Sequence, residues 1–275
     1  MKILIFGSNG FIGQRLVERL TEYELVLTSS RDVDFTKPNA INLDKITTLM
    51  QGVDVVINIV GIMSNDKTVT ENVHHHSSVK IATIAKSQGV KKWVNLSALG
   101  ADENSDIAFV GSKGRGDTAI LALADDNFKV KIARPSLVFG VAENGKKGGA
   151  STELFLKLAN LPILVLPNGG NFAIQPVHVN DVALGLVKFA TENHNLPNVI
   201  DFTGEKVLTL ADYLTELRMT ILGKGKPKIV AMPMGLAKFF ASILQNFSDM
   251  VSVDSLTLLE QGNTADNQRF LQLLK

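Results

Sequence analysis

The chain begins with a short apolar run, Met1 to Phe6, and passes at once into Gly7-Ser8-Asn9-Gly10-Phe11-Ile12-Gly13. The run reads as a buried strand. Apolar residues at 11, 12, 16, 17 and 20 then predict a helix over Phe11 to Leu20. Three glycines therefore fall in the turn between a strand and a helix. The first amides of a helix have no partner within it, and its dipole favours negative charge there. A diphosphate reaches those amides only where no Cβ blocks the approach, which is what glycine provides. The expected contacts are Gly7, Asn9, Gly10, Phe11, Ile12 and Gly13. The spacing is Gly-x-x-Gly-x-x-Gly, not the Gly-x-Gly-x-x-Gly common in dehydrogenases.

Further along, Glu24 to Thr28 reads as a second strand and Val53 to Gly61 as a third, with a helix near Ile41 to Met50 between them. A long helix is expected from about Thr68 to Ser87. Then come a strand at Lys92 to Ser97, a helix at Ile107 to Ala124 and a strand at Phe128 to Ala133. Strands alternating with helices imply parallel strands joined by crossovers, hence a doubly wound α/β sheet of the Rossmann type. Its ligand crevice lies outside the carboxyl ends of the strands. After Gly140 the alternation loosens, and helices dominate beyond Leu208. The expected organisation is a dinucleotide-binding domain of 1–140 plus about 176–203. A small interleaved C-terminal α/β lobe takes about 141–175 plus 204–275.

Several function classes are disfavoured. A net charge of +1 with no long Lys/Arg run gives no nucleic-acid footprint. Zero cysteines remove disulfides, thiolate nucleophiles and zinc–thiolate sites. No apolar stretch approaches the roughly 18 residues of a membrane span. The longest candidate, Met234 to Phe247, is interrupted by polar residues; it reads either as an amphipathic surface helix or, the favoured expectation, as a segment packed into the core. A cleavable leader would delete the first strand, so a cytoplasmic protein is expected.

A set of motifs extends the reading over most of the chain: the glycine turn, Val56-Ile57-Asn58-Ile59-Val60-Gly61, Val73-His74, Asn95-Leu96-Ser97-Ala98-Leu99-Gly100-Ala101-Asp102, Ser112-Lys113, Arg134-Pro135-Ser136-Leu137-Val138-Phe139-Gly140 and Gln175-Pro176-Val177-His178-Val179-Asn180-Asp181-Val182-Ala183. In this order they resemble the atypical short-chain dehydrogenase/reductase group, particularly the branch of complex I accessory subunits and NmrA-like proteins. The resemblance implies a nicotinamide dinucleotide, with Asp34 and Phe35 flanking the adenine and Val60, Gly61 and Ile62 along the ribose. His74 would line the pocket, and Pro135, Leu137 and Val138 would face the carboxamide. It also implies a serine and a lysine in catalytic positions, Ser97 and Lys113. The tyrosine expected four residues before the lysine is Phe109.

The end of the second strand, Thr28-Ser29-Ser30-Arg31, carries no carboxylate to read a ribose hydroxyl. Ser30 and Arg31 suit a 2′-phosphate instead, which favours NADP(H) over NAD(H). A phenyl ring has no ionisable proton, so acid–base chemistry cannot run through Phe109. Three readings stay open. The protein reduces an acceptor that takes its proton from water, such as a quinone; or His178, Asp181 or His74 replaces the tyrosine; or the fold keeps the dinucleotide without chemistry, as a redox sensor or as a subunit bound to a protein partner. No metal is expected at His74-His75-His76, because consecutive helical residues point about 100° apart.

Overall fold

The computed structural model describes every residue except 144, 194 and 245–251. The chain divides into two compact units, the first comprising Met1–Pro135, Val179–Phe202 and Asp266–Lys275, the second Ser136–His178 and Thr203–Ala265.

Elements are numbered along the whole chain. The first unit is built on β1 (Lys2–Phe6), β2 (Glu24–Thr28), β3 (Val55–Asn58), β4 (Lys92–Leu96), β5 (Lys129–Pro135) and β10 (Val199–Phe202). They form one sheet in the order β10-β5-β4-β3-β1-β2 with every pairing parallel. Ile3, Leu4, Ile5, Val56, Ile57, Val94, Ile132 and Ala133 are buried, so both sheet faces are covered. Strand order reverses at β1, with β2 on one side and β3 on the other. The loops after β1 and β3 thus flank the crevice where such sheets take ligands.

Helices α1 (Phe11–Arg19), α7 (Val179–Thr191) and α11 (Gln268–Leu274) pack together, as do α2 (Leu43–Met50), α4 (Ser78–Ser87) and α5 (Ala108–Leu121). Asn42 starts α2 by accepting a hydrogen bond from the Lys45 amide at 3.0 Å. The predicted long helix exists but is not uniform. Helix α3 (Lys67–Glu71) enters a π-helical turn at Asn72–Ser77 before continuing as α4. The wider turn leaves His74 buried, His75 half-buried and His76 exposed. The last ten residues join the first unit, where the sequence reading assigns them to the second lobe, because the Phe270 ring stacks on Phe202 at 4.2 Å.

Among its described residues the second unit contains three two-stranded sheets: parallel β6 (Val138–Phe139) with β9 (Val177–His178), parallel β7 (Ile163–Pro167) with β12 (Lys228–Met232), and antiparallel β8 (Ala173–Ile174) with β11 (Leu208–Thr209). Helices α6 (Ala150–Ala159) and α8 (Leu210–Thr220) close a core around Leu164, Leu166, Phe172, Tyr213 and Leu214. Gln175 binds three stretches together: its side chain donates to Gly204 O at 2.7 Å and accepts from the Ala265 amide at 3.0 Å, and its carbonyl accepts from Ser136 Oγ.

Helix α9 (Met234–Leu244) corrects one expectation, while residues 245–247 of that apolar stretch lie outside the described residues. Half-buried Met234 packs against the core, but the large apolar side chains further along the helix do not enter it among the described residues. Ala237 and Ala241 face inward, whereas Leu236, Phe239, Phe240 and Ile243 are 46% to 60% exposed. Helical spacing puts the small residues on one face and the large ones on another. Composition alone gives no indication of which face is seated. Helix α10 (Val253–Gln261) packs beside it.

Candidate functional site

Gly7 has φ +90°, a conformation that side chains with a Cβ rarely adopt, and it turns the chain from β1 toward α1. A Cβ on Gly13 would stand 2.4 Å from Gly7 O and 2.5 Å from Ser8 O, so only glycine lets the helix lie against the turn. Gly10 is the N-cap residue, yet no side chain caps the helix, and its first turn holds no carboxylate. A Cβ there would meet only Gly7 O, at 3.2 Å. The helix start therefore offers bare amides on its open side, which fits a diphosphate. Asn9 and Gly10 are exposed beside it, and Phe11 and Ile12 are half-buried. Arg15 lies over the Phe11 ring at 4.9 Å and donates to the Phe11 carbonyl at 2.9 Å.

At the ends of β3 and β4 a buried amide pair holds the loops in place. Asn58 Nδ2 donates to Asn95 Oδ1 at 2.9 Å and to Ser78 Oγ at 3.1 Å, while Asn58 Oδ1 accepts from the Val60 amide. Val60, Gly61 and Ile62 then run past the π turn. His74 Nε2 accepts from the Ile62 amide at 3.1 Å, so the ring proton is on Nδ1, which donates to Ser112 Oγ at 2.9 Å. Burial, reinforced by the charge on Lys113, pushes the His74 pKa down to about 2. This histidine is neutral at physiological pH and cannot supply the proton that a tyrosine would.

Phe109 packs edge-on against the His74 ring, with centroids 5.6 Å apart. One turn further along α5, Lys113 Nζ donates to Leu96 O at 2.8 Å and lies 3.3 Å from where a Gly61 Cβ would be. Burial lowers the Lys113 pKa to about 8, while Asp117 opposes the shift. Another turn on, Asp117 is buried. Its Oδ2 accepts from Ser97 Oγ at 2.7 Å and from Arg134 Nε at 2.9 Å. Burial pushes the Asp117 carboxyl up despite these donors. The Ser97 hydroxyl proton is thus directed at Asp117. The sequence reading does not single out Asp117; the one signal for it is its helical spacing, i+4 from Lys113 and i+8 from Phe109.

The three glycines of Gly111-Ser112-Lys113-Gly114-Arg115-Gly116 are explained by close backbone approach. Added Cβ atoms would lie 2.3 Å from Ser105 O, 2.2 Å from Asp102 C and 2.2 Å from His74 O, respectively. The helix remains regular around Lys113. Gly116→Ala drives a methyl into the rigid backbone of the π turn. The expected cost is at or above the ~1–3 kcal/mol typical of overpacking, read as a lower melting temperature. Gly225→Ala, in open space, is expected to stay within about 0.5 kcal/mol of the parent.

In the loop after β2, Ser30 and Arg31 are exposed. Asp34 accepts from the Thr36 amide and hydroxyl and pairs with Lys37 at 3.5 Å. The Phe35 ring does not face the crevice: it is 4% exposed and packs on Phe6 at 5.5 Å. Pro135 closes β5 and is buried, whereas Leu137 and Val138 belong to the second unit. Tyr23 lies in the turn before β2, and Tyr213 is buried in α8. His74 turns inward and away from the other two, but the His75 and His76 rings stack with centroids 4.7 Å apart, and Glu71, His75 and His76 each bring a ligand atom within 4.8 Å of the others. Glu71 is already held by Arg115, with Nη2 to Oε2 at 2.7 Å. Burial alone would raise its carboxyl, but the hydrogen bonds from Arg115 and His75 hold it below the usual range. Its charge is spent on a guanidinium rather than left for a cation.

Residues 3–202, which contain this glycine turn, the lysine helix and all but the first residue of the six-stranded sheet, match the NAD dependent epimerase/dehydratase family. The chain belongs to that family. Among relatives, this epimerase/dehydratase-family chain is 26% identical over 259 residues to the mitochondrial NADH dehydrogenase [ubiquinone] 1 alpha subcomplex subunit 9 of Arabidopsis thaliana, covering 86% of this chain and 62% of that protein. It is 26% identical over 225 residues to the mitochondrial NADH-ubiquinone oxidoreductase 40 kDa subunit of Neurospora crassa, covering 76% and 57%. The chain thus spans about 60% of the length of these two relatives. It is also 27% identical to the mitochondrial Protein FMP52 of Debaryomyces hansenii over 70% of this chain and 88% of that one. Among solved structures, a nucleoside-diphosphate-sugar epimerase from Staphylococcus aureus superposes with TM-score 0.72 at 13% identity, covering 100% and 95%. MoeE5 in complex with UDP-glucuronic acid and NAD superposes with TM-score 0.67 at 16% identity, covering 85% and 86%. These two likenesses establish the fold.

The cytoplasmic placement is corrected by the relatives, which are mitochondrial proteins by name. The placement rests on a first strand that a cleavable leader would delete, and a strand at Lys2–Phe6 by itself assigns no compartment.

Proposed function

We propose that this member of the family binds NADP(H) and acts as a cofactor-responsive accessory or sensor protein, without the tyrosine-dependent chemistry of active relatives. The observation that carries this reading is the environment of Phe109. The phenyl ring itself has no proton to give. Beside it His74 has both ring nitrogens engaged and is held neutral, and Ser97 donates to Asp117. The likeness to complex I subunits supports a role alongside other proteins.

The amides of Phe11, Ile12 and Gly13 would hold the diphosphate, and Val60 to Ile62 with Lys113 would line the ribose and nicotinamide. When bound in its reduced form, the dinucleotide would bring a hydride to this crevice. Lys113, with a pKa near 8, supplies positive charge on the crevice side of α5. This cation is the one observation favouring a second reading, hydride transfer to a quinone-like acceptor whose proton comes from water.

The preference for NADP(H) rests on the loop after β2. Asp32, the acid that would oppose a phosphate there, is occupied. It accepts from the Ser29 amide and hydroxyl and pairs with Lys45 at 3.6 Å, so Arg31 keeps its guanidinium for an anion. Arg31→Ala is expected to weaken NADPH about tenfold or more and leave NADH nearly unchanged in a fluorescence titration.

Steady-state assays with NADPH and a panel of aldehydes and quinones test the main reading. Binding with no aldehyde turnover is expected. Phe109→Tyr is expected to gain no aldehyde reductase activity, because the Ser97 hydroxyl remains committed to Asp117. Aldehyde turnover by the parent chain would overturn the proposal, and quinone turnover alone would favour the second reading.

A further inference from the structure

The second unit presents a surface that the dinucleotide reading leaves unused. Leu236, Phe239, Phe240 and Ile243 recur on α9 at i, i+3, i+4 and i+7 and are 46%, 60%, 46% and 49% exposed. At about 100° per residue they form one stripe roughly 100° wide. Ala237 and Ala241 seat the helix from the other side. The β7–β12 pair is also apolar outward. Its register sets Val165 beside Val230 and Ile163 beside Lys228, and Ile163, Val165 and Val230 are 50%, 51% and 38% exposed.

Charge accompanies this apolar surface. From 218 to 244 the chain carries Arg218, Lys224, Lys226, Lys228 and Lys238 and no carboxylate, although its net charge is only +1. Arg218 is buried against backbone carbonyls, and Lys238 pairs with Glu260 of α10, which also carries Asp254. Lys224 reaches the neutral Asn160 side chain. Lys224, Lys226 and Lys228 are exposed and are met by no carboxylate among the described residues. Protein–protein interface cores are depleted in lysine. An exposed Phe/Leu/Ile helix stripe, in the same unit as an exposed apolar strand pair that carries Lys228 beside Ile163, suits an anionic bilayer surface, where the apolar side chains enter the headgroup region and the lysines meet phosphates. None of the described helices is long and apolar enough to cross a membrane, so such contact is peripheral.

We propose that the second unit docks on a bilayer containing anionic phospholipid, with the α9 stripe as the inserting element and Lys224, Lys226 and Lys228 as the headgroup contacts. The test is co-sedimentation of the full chain with vesicles of phosphatidylcholine alone or mixed with phosphatidylglycerol. Binding is expected to be more than about tenfold stronger to the mixed vesicles and to fall as salt is raised. Phe239→Ser with Phe240→Ser, and separately Lys224→Gln with Lys226→Gln and Lys228→Gln, should each remove most of it while leaving NADPH binding intact. Phe239→Trp gives a readout independent of those variants' folding: its emission should be quenched by brominated lipid, whereas buried Trp93 should not respond. Equal binding to both vesicle types, or none to either, would overturn the proposal. So would a dimer in light scattering that Phe239→Ser with Phe240→Ser dissociates, since the stripe would then be an interface between copies.

Discussion

Asp117→Ala is expected to destabilise the protein by about 3 kcal/mol, the lower end of the range for breaking a buried charged pair. Asp117 is 1% exposed and carries two donors, Ser97 Oγ and Arg134 Nε. Its removal leaves the buried Ser97 hydroxyl and the Arg134 guanidinium without that acceptor. The loss does not reach the top of the range, because the Arg134 side chain is 25% exposed and its neighbour across the β5–β10 pairing is Asp201. Asp117→Asn keeps an acceptor for Ser97 and gives up the charge, so it should fall between parent and alanine variant. Denaturant unfolding monitored through Trp93 gives the three values. Equal midpoints for all three would show that the cluster contributes nothing net.

Acidification from pH 6.5 to 4.5 is expected to remove about 2–3 kcal/mol of stability through His74 alone, at ~1.4 kcal/mol per pH unit. The ordinary histidine pKa is 6.5, and in the folded protein burial and the Lys113 charge hold His74 near 2. Between those values the unfolded chain binds a proton that the folded chain refuses, so stability falls as pH falls through 6.5. Asp32, Asp34, Asp54, Glu71 and Asp125 are held below the usual carboxylate range and add their own losses only in more acidic solution. His74→Gln carries no charge at any pH and should flatten the slope between pH 6.5 and 4.5. Asp117 and Asp201, whose carboxyls burial pushes up, work in the opposite direction in both chains, so the comparison with His74→Gln is what isolates the histidine. Equal slopes for the two chains would contradict a neutral, doubly hydrogen-bonded ring.

The strand–turn–helix opening was legible because its signal is local: an apolar run, glycines, then helical periodicity. Glu24–Thr28 and Lys92–Leu96 were legible for the same reason, each being a short β-rich run bounded by turn residues. What the sequence hid was long-range. The glycines at 111, 114 and 116 look like helix breakers until the backbones of Ser105, Asp102 and His74 are seen lying against them. Phe35 has an aromatic's capacity to stack on a base, but Phe6 claims it for the core. The π turn has no composition of its own, and without it the inward course of His74 is not evident. For α9 the periodicity was visible, yet hydrophobicity does not say which side of a helix finds a neighbour.

The central claim is that a dinucleotide diphosphate rests on the uncapped start of α1, and Gly10→Asp tests it by setting two effects against each other. Aspartate is a good N-cap residue, so the variant should melt at or slightly above the parent temperature. The same carboxylate occupies the open side of the amides and repels phosphate. Calorimetric titration with NADPH should give one-site heat for the parent chain and none for Gly10→Asp. Undiminished heat from the variant, or no heat from the parent with either NADPH or NADH, would contradict the account.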